Sequence, residues 1–309
     1  MPPAQENDPR SRIVDPAGAR GRLSERAPAK VNLTLRVLGR RDDGYHALAS
    51  LVAFAGTGDR LHLFPDAPPG LDIEGARAAD AGPAEANLVL RAAAALAARV
   101  PGLRGGRFHL IKRLPVSAGL GGGSSDAAAA LRLLARLNGL ALDDPRLGAA
   151  ALETGSDVPA CLFGRACLMS GRGEAVEGVR IAPLAAVLLN PGIPVATAHV
   201  FHALALRPGE FHAGVSHPAN TELALDRTAL LDLLRHLPND LEPVARRMTP
   251  VLEEAARALA VTPGVRLVRM SGSGATMFAL YDDCRAAAGA AKWLANAHPH
   301  WWVRPTVLR

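Results

Sequence analysis

The chain has 309 residues, 49% of them hydrophobic and 21% charged, enough apolar side chain for a sizeable core and too much for global disorder. Its formal charge of +6 favours anionic partners, but the cations are mostly arginines scattered along the chain and only 4% of residues are aromatic. With neither a basic tail nor stacking faces, nucleic acid is disfavoured and phosphorylated small molecules remain.

Residues 1–22 mix Pro, Arg, Asp and Glu without an apolar stretch, and are expected to form a disordered extension rather than a signal peptide or anchor. Structure is expected from Leu23. Lys30 to Leu38 alternates apolar and polar residues and reads as one half-buried strand, followed by turn chemistry at Arg41-Asp42-Asp43-Gly44 and by strands at Leu48–Phe54 and Arg60–Phe64. Pro65 to Glu85 reads as a long loop before an alanine-rich helix over 87–99. A strand over 107–112 leads into a glycine-rich segment, and helices follow over 125–138 and 145–154. A rigid Gly155-Ser156-Asp157-Val158-Pro159 turn comes next. Strands are expected over 161–190, with a domain boundary near Pro183, giving domains 23–182 and 183–309.

The last third is expected to hold a Pro/Gly/His-rich loop over 207–220 and two or three helices, one opened by Asn239 with Glu242 as a capping box. A hairpin over 265–281 and a helix over 284–297 complete it. Strands and helices without strict βαβ alternation make the fold class α+β. Cys161, Cys167 and Cys284 stand in no C-x-x-C spacing, which argues against disulfides and zinc and fits a reducing cytoplasm. No apolar run approaches the ~18 residues of a membrane span.

The strongest chemical signal is Pro115-Val116-Ser117-Ala118-Gly119-Leu120-Gly121-Gly122-Gly123-Ser124-Ser125, set between a strand and a helix. Glycines leave backbone N–H groups unshielded and the following helix adds its positive end, so the segment suits phosphate; the plainer reading is a tight turn with a serine as helix cap. No lysine follows Gly123, which excludes a Walker A loop, and Ser124 occupies the third glycine position of the dinucleotide fingerprint. Lys30 is one of only three lysines against thirty-two arginines, so a compact ammonium is suspected there. Asp157, on its bracketed turn, could orient or deprotonate a hydroxyl, or bond its own backbone. The glycines of Met270–Gly274 form either a plain hairpin or a close backbone approach to a ligand.

Taken in order, Pro28-Ala29-Lys30-Val31-Asn32-Leu33, Asp43-Gly44-Tyr45-His46, Pro115 to Ala127, Gly155 to Pro159 and Ser271-Gly272-Ser273-Gly274-Ala275 resemble the GHMP kinase superfamily over about 27–281. The doubled Gly122-Gly123 before Ser124-Ser125 and the Tyr45-His46 turn resemble the branch serving the non-mevalonate isoprenoid route, over mevalonate, homoserine or galactose kinases. The resemblance implies a ribosomal-protein-S5-like N-terminal domain, a ferredoxin-like C-terminal domain and an active site between them. It implies transfer of the γ-phosphate of ATP, with Mg²⁺, to the 2-hydroxyl of a diphosphocytidyl methylerythritol. Lys30 and Asp157 correspond to the catalytic pair, the glycine segment to the ATP phosphate loop, and Asn32, Tyr45, His46, Thr197 and Phe201 to the substrate site. No metal ligand is identified by it. A member acting on another alcohol, or a silent ATP-binding one, stays open.

Overall fold

The computed structural model describes residues 21–212 and 226–309, so most of the expected extension over 1–22 and part of the loop over 207–220 lie outside the described residues. Strand β1 (Leu23–Asn32) runs antiparallel to the long β3 (His46–Phe64), whose first residues also pair with β2 (Arg36–Arg40). Two expectations change here. The single strand over Lys30–Leu38 is interrupted, because the backbone of Leu35 turns away to bond Pro238 and Asp240 from the far half of the chain. The two strands expected at 48–54 and 60–64 are one, since Gly56-Thr57-Gly58 continues it past a bulge opposite Pro28; a Cβ on Gly58 would stand 2.3 Å from the Ala27 carbonyl oxygen.

Within the supposed loop over 65–85 lies β4 (Gly70–Glu74), parallel to β5 (Arg107–Ile111), which in turn pairs with β3. Four helices cover this sheet on one face. They are α1 (Leu88–Ala97), capped by the Asn87 side chain on the Val89 N–H, α2 (Gly122–Leu137), α3 (Pro145–Thr154) with its Asp144 cap, and α4 (Val158–Phe163). Pro159 lies in the first turn of α4, where its missing N–H costs nothing; a helix therefore begins where strands are expected. Ala127 to Ala130 of α2 are fully buried, and their small side chains let the helix lie close on the sheet beneath Lys30.

The second half adds β6 (Cys167–Gly171), β7 (Ala175–Gly178), β8 (Leu184–Asn190), α5 (Thr197–His202), α6 (Arg227–His236), α7 (Glu242–Met248) and α8 (Val251–Ala260). It ends with β9 (Val265–Met270), β10 (Met277–Tyr281), α9 (Cys284–Ala297) and β11 (Trp302–Leu308). The sheet runs β4-β5-β3-β11-β8-β10-β9. Strand β11, unforeseen in the sequence, pairs along β8 and touches β3 at Leu308 and Ala55, so one sheet continues across position 183. A layer of Val31, Leu33, Leu51, Leu188, Phe278 and Leu280 fills the space between the halves.

The capping box expected at Asn239 is replaced by a tie. The Asn239 side chain accepts from Leu241 N and donates to the carbonyls of Met270 and Gly272, while the Glu242 carboxylate accepts from Met270 N at 3.0 Å. Both polar side chains are spent on holding the turn after β9.

Candidate active site

The glycine segment leaves β5 and enters α2 through three left-handed residues, Ser117 (φ 51°), Gly119 (φ 72°) and Gly121 (φ 58°). A Cβ on Gly119 would lie 2.2 Å from the Ser271 carbonyl oxygen, and one on Gly121 would lie 3.1 Å from Lys30 Cβ. Glycine is required at both by conformation and by close approach. The segment is pinned from behind by the turn between β9 and β10: Ser271 Oγ donates to Gly119 O at 2.8 Å and Thr276 N to Ala118 O at 3.1 Å. The Ser271–Gly274 glycines thus bring backbone close to the loop rather than closing a plain hairpin.

No side chain caps α2. Ser125 is buried and donates its hydroxyl to Pro28 O at 2.7 Å, Asp126 is engaged below, and Ser124 is half-buried. The capping reading of these residues is therefore not what the fold uses. The opening N–H groups of a sixteen-residue helix are left for a ligand.

Lys30 follows the β1 bulge, and its N–H bonds Leu120 O at 2.8 Å, so strand and loop fix each other. Its ammonium stands 2.8 Å from Asp157 Oδ1; the lysine side chain is 4% exposed and the aspartate 36%. Asp157 lies just ahead of α4 without capping it. Asn32 is buried, with Nδ2 donating to Ser50 Oγ at 2.7 Å and its own N–H to Ser271 Oγ, while Oδ1 has no partner among the described residues. The thiols of Cys161 and Cys167 lie close by and are inert: burial, then the charge of Asp157, pushes Cys161 up to about 12.

At the far rim, His46 and Phe201 stack with ring centroids 4.7 Å apart, one from β3 and one from α5. Burial, then Arg40, lowers the His46 pKa, so the ring is neutral near pH 7. Tyr45 is exposed, with the Arg172 guanidinium 5.1 Å from its ring centre. Of the residues expected at the substrate site, His46 thus stacks on Phe201, while Tyr45 lies under Arg172. Thr197 Oγ1 bonds Ser273 Oγ at 2.7 Å, which ties α5 to the turn behind the loop.

One group was missed by sequence reasoning. Lys112 Nζ reaches both Asp59 Oδ2 and, at 2.7 Å, Asp126 Oδ2, and all three side chains are buried. Asp59 Oδ1 also accepts the N–H groups of Arg113 and Leu114. The ammonium lies 3.2 Å from where a Cβ of Gly122 would be, so this trio braces both ends of the glycine segment from beneath. Burial pushes Asp126 up to about 7, against the pull of Lys112 and with the help of Asp59. The rarity of lysine was the available signal; its two aspartates, 53 and 14 residues away, carry no local pattern.

Among the described residues no group of three or more His, Cys, Asp or Glu could hold a metal, and no helix is long and apolar enough to cross a membrane.

Comparison with known proteins bears on the same residues. The model of the GHMP kinase N-terminal domain matches 87–165 and that of the GHMP kinase C-terminal domain 221–299. A protein of Methylobacterium radiotolerans named 4-diphosphocytidyl-2-C-methyl-D-erythritol kinase is 61% identical over 93% of this chain and 99% of its own; one of Xanthobacter autotrophicus with the same name is 60% identical over the same shares. A crystal structure of 4-(cytidine 5'-diphospho)-2C-methyl-D-erythritol kinase superposes with a TM-score of 0.73 at 37% identity, covering 93% of this chain and 99% of that one. Homoserine kinase from Cytophaga hutchinsonii shares the fold at 19% identity with a TM-score of 0.67, over 93% of this chain and 94% of its own. With an uncapped helix end, a loop braced from two sides and likenesses that run nearly end to end, the chain belongs to the GHMP kinases and, within them, to the 4-diphosphocytidyl-2-C-methyl-D-erythritol kinase family.

Proposed function

We propose that the chain transfers the γ-phosphate of ATP to the 2-hydroxyl of 4-diphosphocytidyl-2-C-methyl-D-erythritol, giving the 2-phosphate and ADP. ATP-dependent phosphoryl transfer follows from the family; the acceptor rests on the relatives' names. The observation that carries the reading is the Lys30–Asp157 pair beside the uncapped start of α2. A loose phosphoryl transition state asks mainly for positioning and compensation of charge. The free N–H groups of the loop and α2 receive the β- and γ-phosphates, and the buried ammonium of Lys30 offsets charge on the transferred group. Asp157, a third exposed, accepts a hydrogen bond from the incoming hydroxyl and so holds its oxygen in line. His46 and Phe201 offer the cytosine a neutral ring edge and an apolar face, with Tyr45 and Thr197 at the margins and Asn32 supporting Lys30 from its own strand.

Mg²⁺ belongs to this proposal in a limited form. The donor set fits an ion that arrives with ATP and keeps most of its phosphate and water ligands, because the described residues build no cage of their own. Ser124, the loop serine whose hydroxyl has no partner among the described residues, and Asp157 are the residues that would hold it. When bound, it would neutralise phosphate charge. The free cysteines support action in the reducing cytoplasm.

The test is ³¹P NMR of ATP, Mg²⁺ and the diphosphocytidyl alcohol with the protein. Appearance of ADP together with a new phosphomonoester signal is expected; ATP left intact, or consumed only with another alcohol, would sink the reading.

A further inference from the structure

One cleft gathers several arginines that have no carboxylate partner among the described residues. The cleft between the Gly56–Arg60 stretch of β3, β11 and the start of α9 has a volume of about 740 Å³ and is lined by Arg26, Arg60, Arg77, Arg113, Arg304 and Arg309. None of Pro115–Ser125, nor Lys30, nor Asp157, lines it. Arg77 pairs with Asp80 at 3.4 Å, but the other five have no carboxylate partner among the described residues. The one acid in the wall is Asp59, whose oxygens are already taken by Lys112 and by the N–H groups of Arg113 and Leu114. It neutralises nothing in the cleft. Thr306 Oγ1, on a residue of the wall, is buried and has no hydrogen-bond partner among the described residues.

Outside the cleft Arg36, Arg99, Arg107, Arg146, Arg246 and Arg266 each hold a carboxylate at 3.0 Å or less, while other arginines without one among the described residues, such as Arg91, Arg104 and Arg247, do not line this cleft. Five guanidinium groups of one sign around one concavity repel one another, and its low-dielectric walls focus their field. We propose that this cleft binds a small polyphosphate anion. Guanidinium forks match phosphate oxygens, and the volume is that of a small-molecule site. A base has nothing to stack on: Trp302 is buried and Arg304 stands over its ring at 5.7 Å, which favours a compact polyphosphate over a nucleic-acid strand.

Isothermal titration of the full chain with inorganic triphosphate tests this. The wild type should show the cleft as a saturable site that weakens with salt, separate from any binding at the glycine segment. Combined Arg60→Ser, Arg113→Ser and Arg304→Ser should weaken it by about tenfold or more, the scale of lost charge-assisted hydrogen bonds. Gly121→Val, which disables the glycine segment, should leave it in place. Equal affinity in the triple variant, or loss of the signal in Gly121→Val, would overturn the assignment. So would an oligonucleotide that binds through the same arginines more tightly than triphosphate. None of these outcomes depends on which alcohol the protein phosphorylates.

Discussion

Lys30 is almost wholly buried while its partner Asp157 is a third exposed, and that asymmetry separates two variants of one ion pair. Asp157→Asn strands an ammonium without its counter-charge and should lower stability by about 1–3 kcal/mol, whereas Lys30→Met leaves a carboxylate that water can reach and should cost less. Thermal melts of the two decide; equal losses would mean that burial does not govern the pair. In turnover, each should reduce kcat by roughly a hundredfold or more with little change in ATP affinity, and the double variant should lose less than the product, because the proposed mechanism has both groups act on one transferring phosphate. Asp126 offers a different handle. Its folded pKa of about 7 lies above the ordinary carboxylate value, so the native state holds a proton that the unfolded chain releases, and stability falls as pH rises from about 4 to 7. Asp126→Asn should lack that fall. Melts of both proteins across the range check it, and parallel profiles would show that Asp126 does not titrate there.

At the scale of elements, the segment between β5 and α2 is shaped by its neighbours as much as by a future ligand. Gly121→Val forces a branched side chain onto a left-handed backbone and against the stem of Lys30, so ATP affinity and kcat should fall together while the circular dichroism stays native. Gly123→Ala is the control, since its Cβ would meet only Leu88 Cδ1 at an ordinary 3.4 Å. It should fold like the wild type, and any loss of ATP affinity by calorimetry then reports how closely phosphate approaches the helix end. If Gly121→Val binds ATP normally, the segment is a turn and nothing more.

On the proposed reading specificity belongs to the whole molecule, because His46 comes from β3 and Phe201 from α5 beyond position 183. Stacking is worth roughly 1–3 kcal/mol per base and does not choose among bases, so Phe201→Ala and Tyr45→Ala should raise KM for the cytidine substrate. His46→Ala should mainly erode the preference over a uridine analogue, since a neutral imidazole offers one donor and one acceptor to the base edge and an unpaired buried group is what penalises the wrong base. Steady-state kinetics with both nucleotides check this; an unchanged cytidine-to-uridine ratio of kcat/KM in all three would place the cytidine pocket elsewhere. Arrangements of this kind limit what a sequence shows. Period and punctuation made α3 and α9 legible to the residue, and a dense run of glycines before a helix made the glycine segment legible. Strand β11 has few alternating positions and exists because β8 and β3 both offer it an edge. The Asn239–Glu242 pattern was legible as a cap, yet the turn after β9 claims both side chains. By itself, then, the sequence determined the fold class and the glycine segment, because local backbone chemistry and residue type suffice for those, while Lys30 and Asp157 were joined as a pair only through the family resemblance. Only the tertiary structure decided that α2 begins uncapped, that Lys112 draws Asp59 and Asp126 beneath the segment, and that five arginines without a carboxylate partner among the described residues share one cleft. Hydrogen-bond partners and charge compensation are properties of distance in space, and no spacing along the chain encodes them.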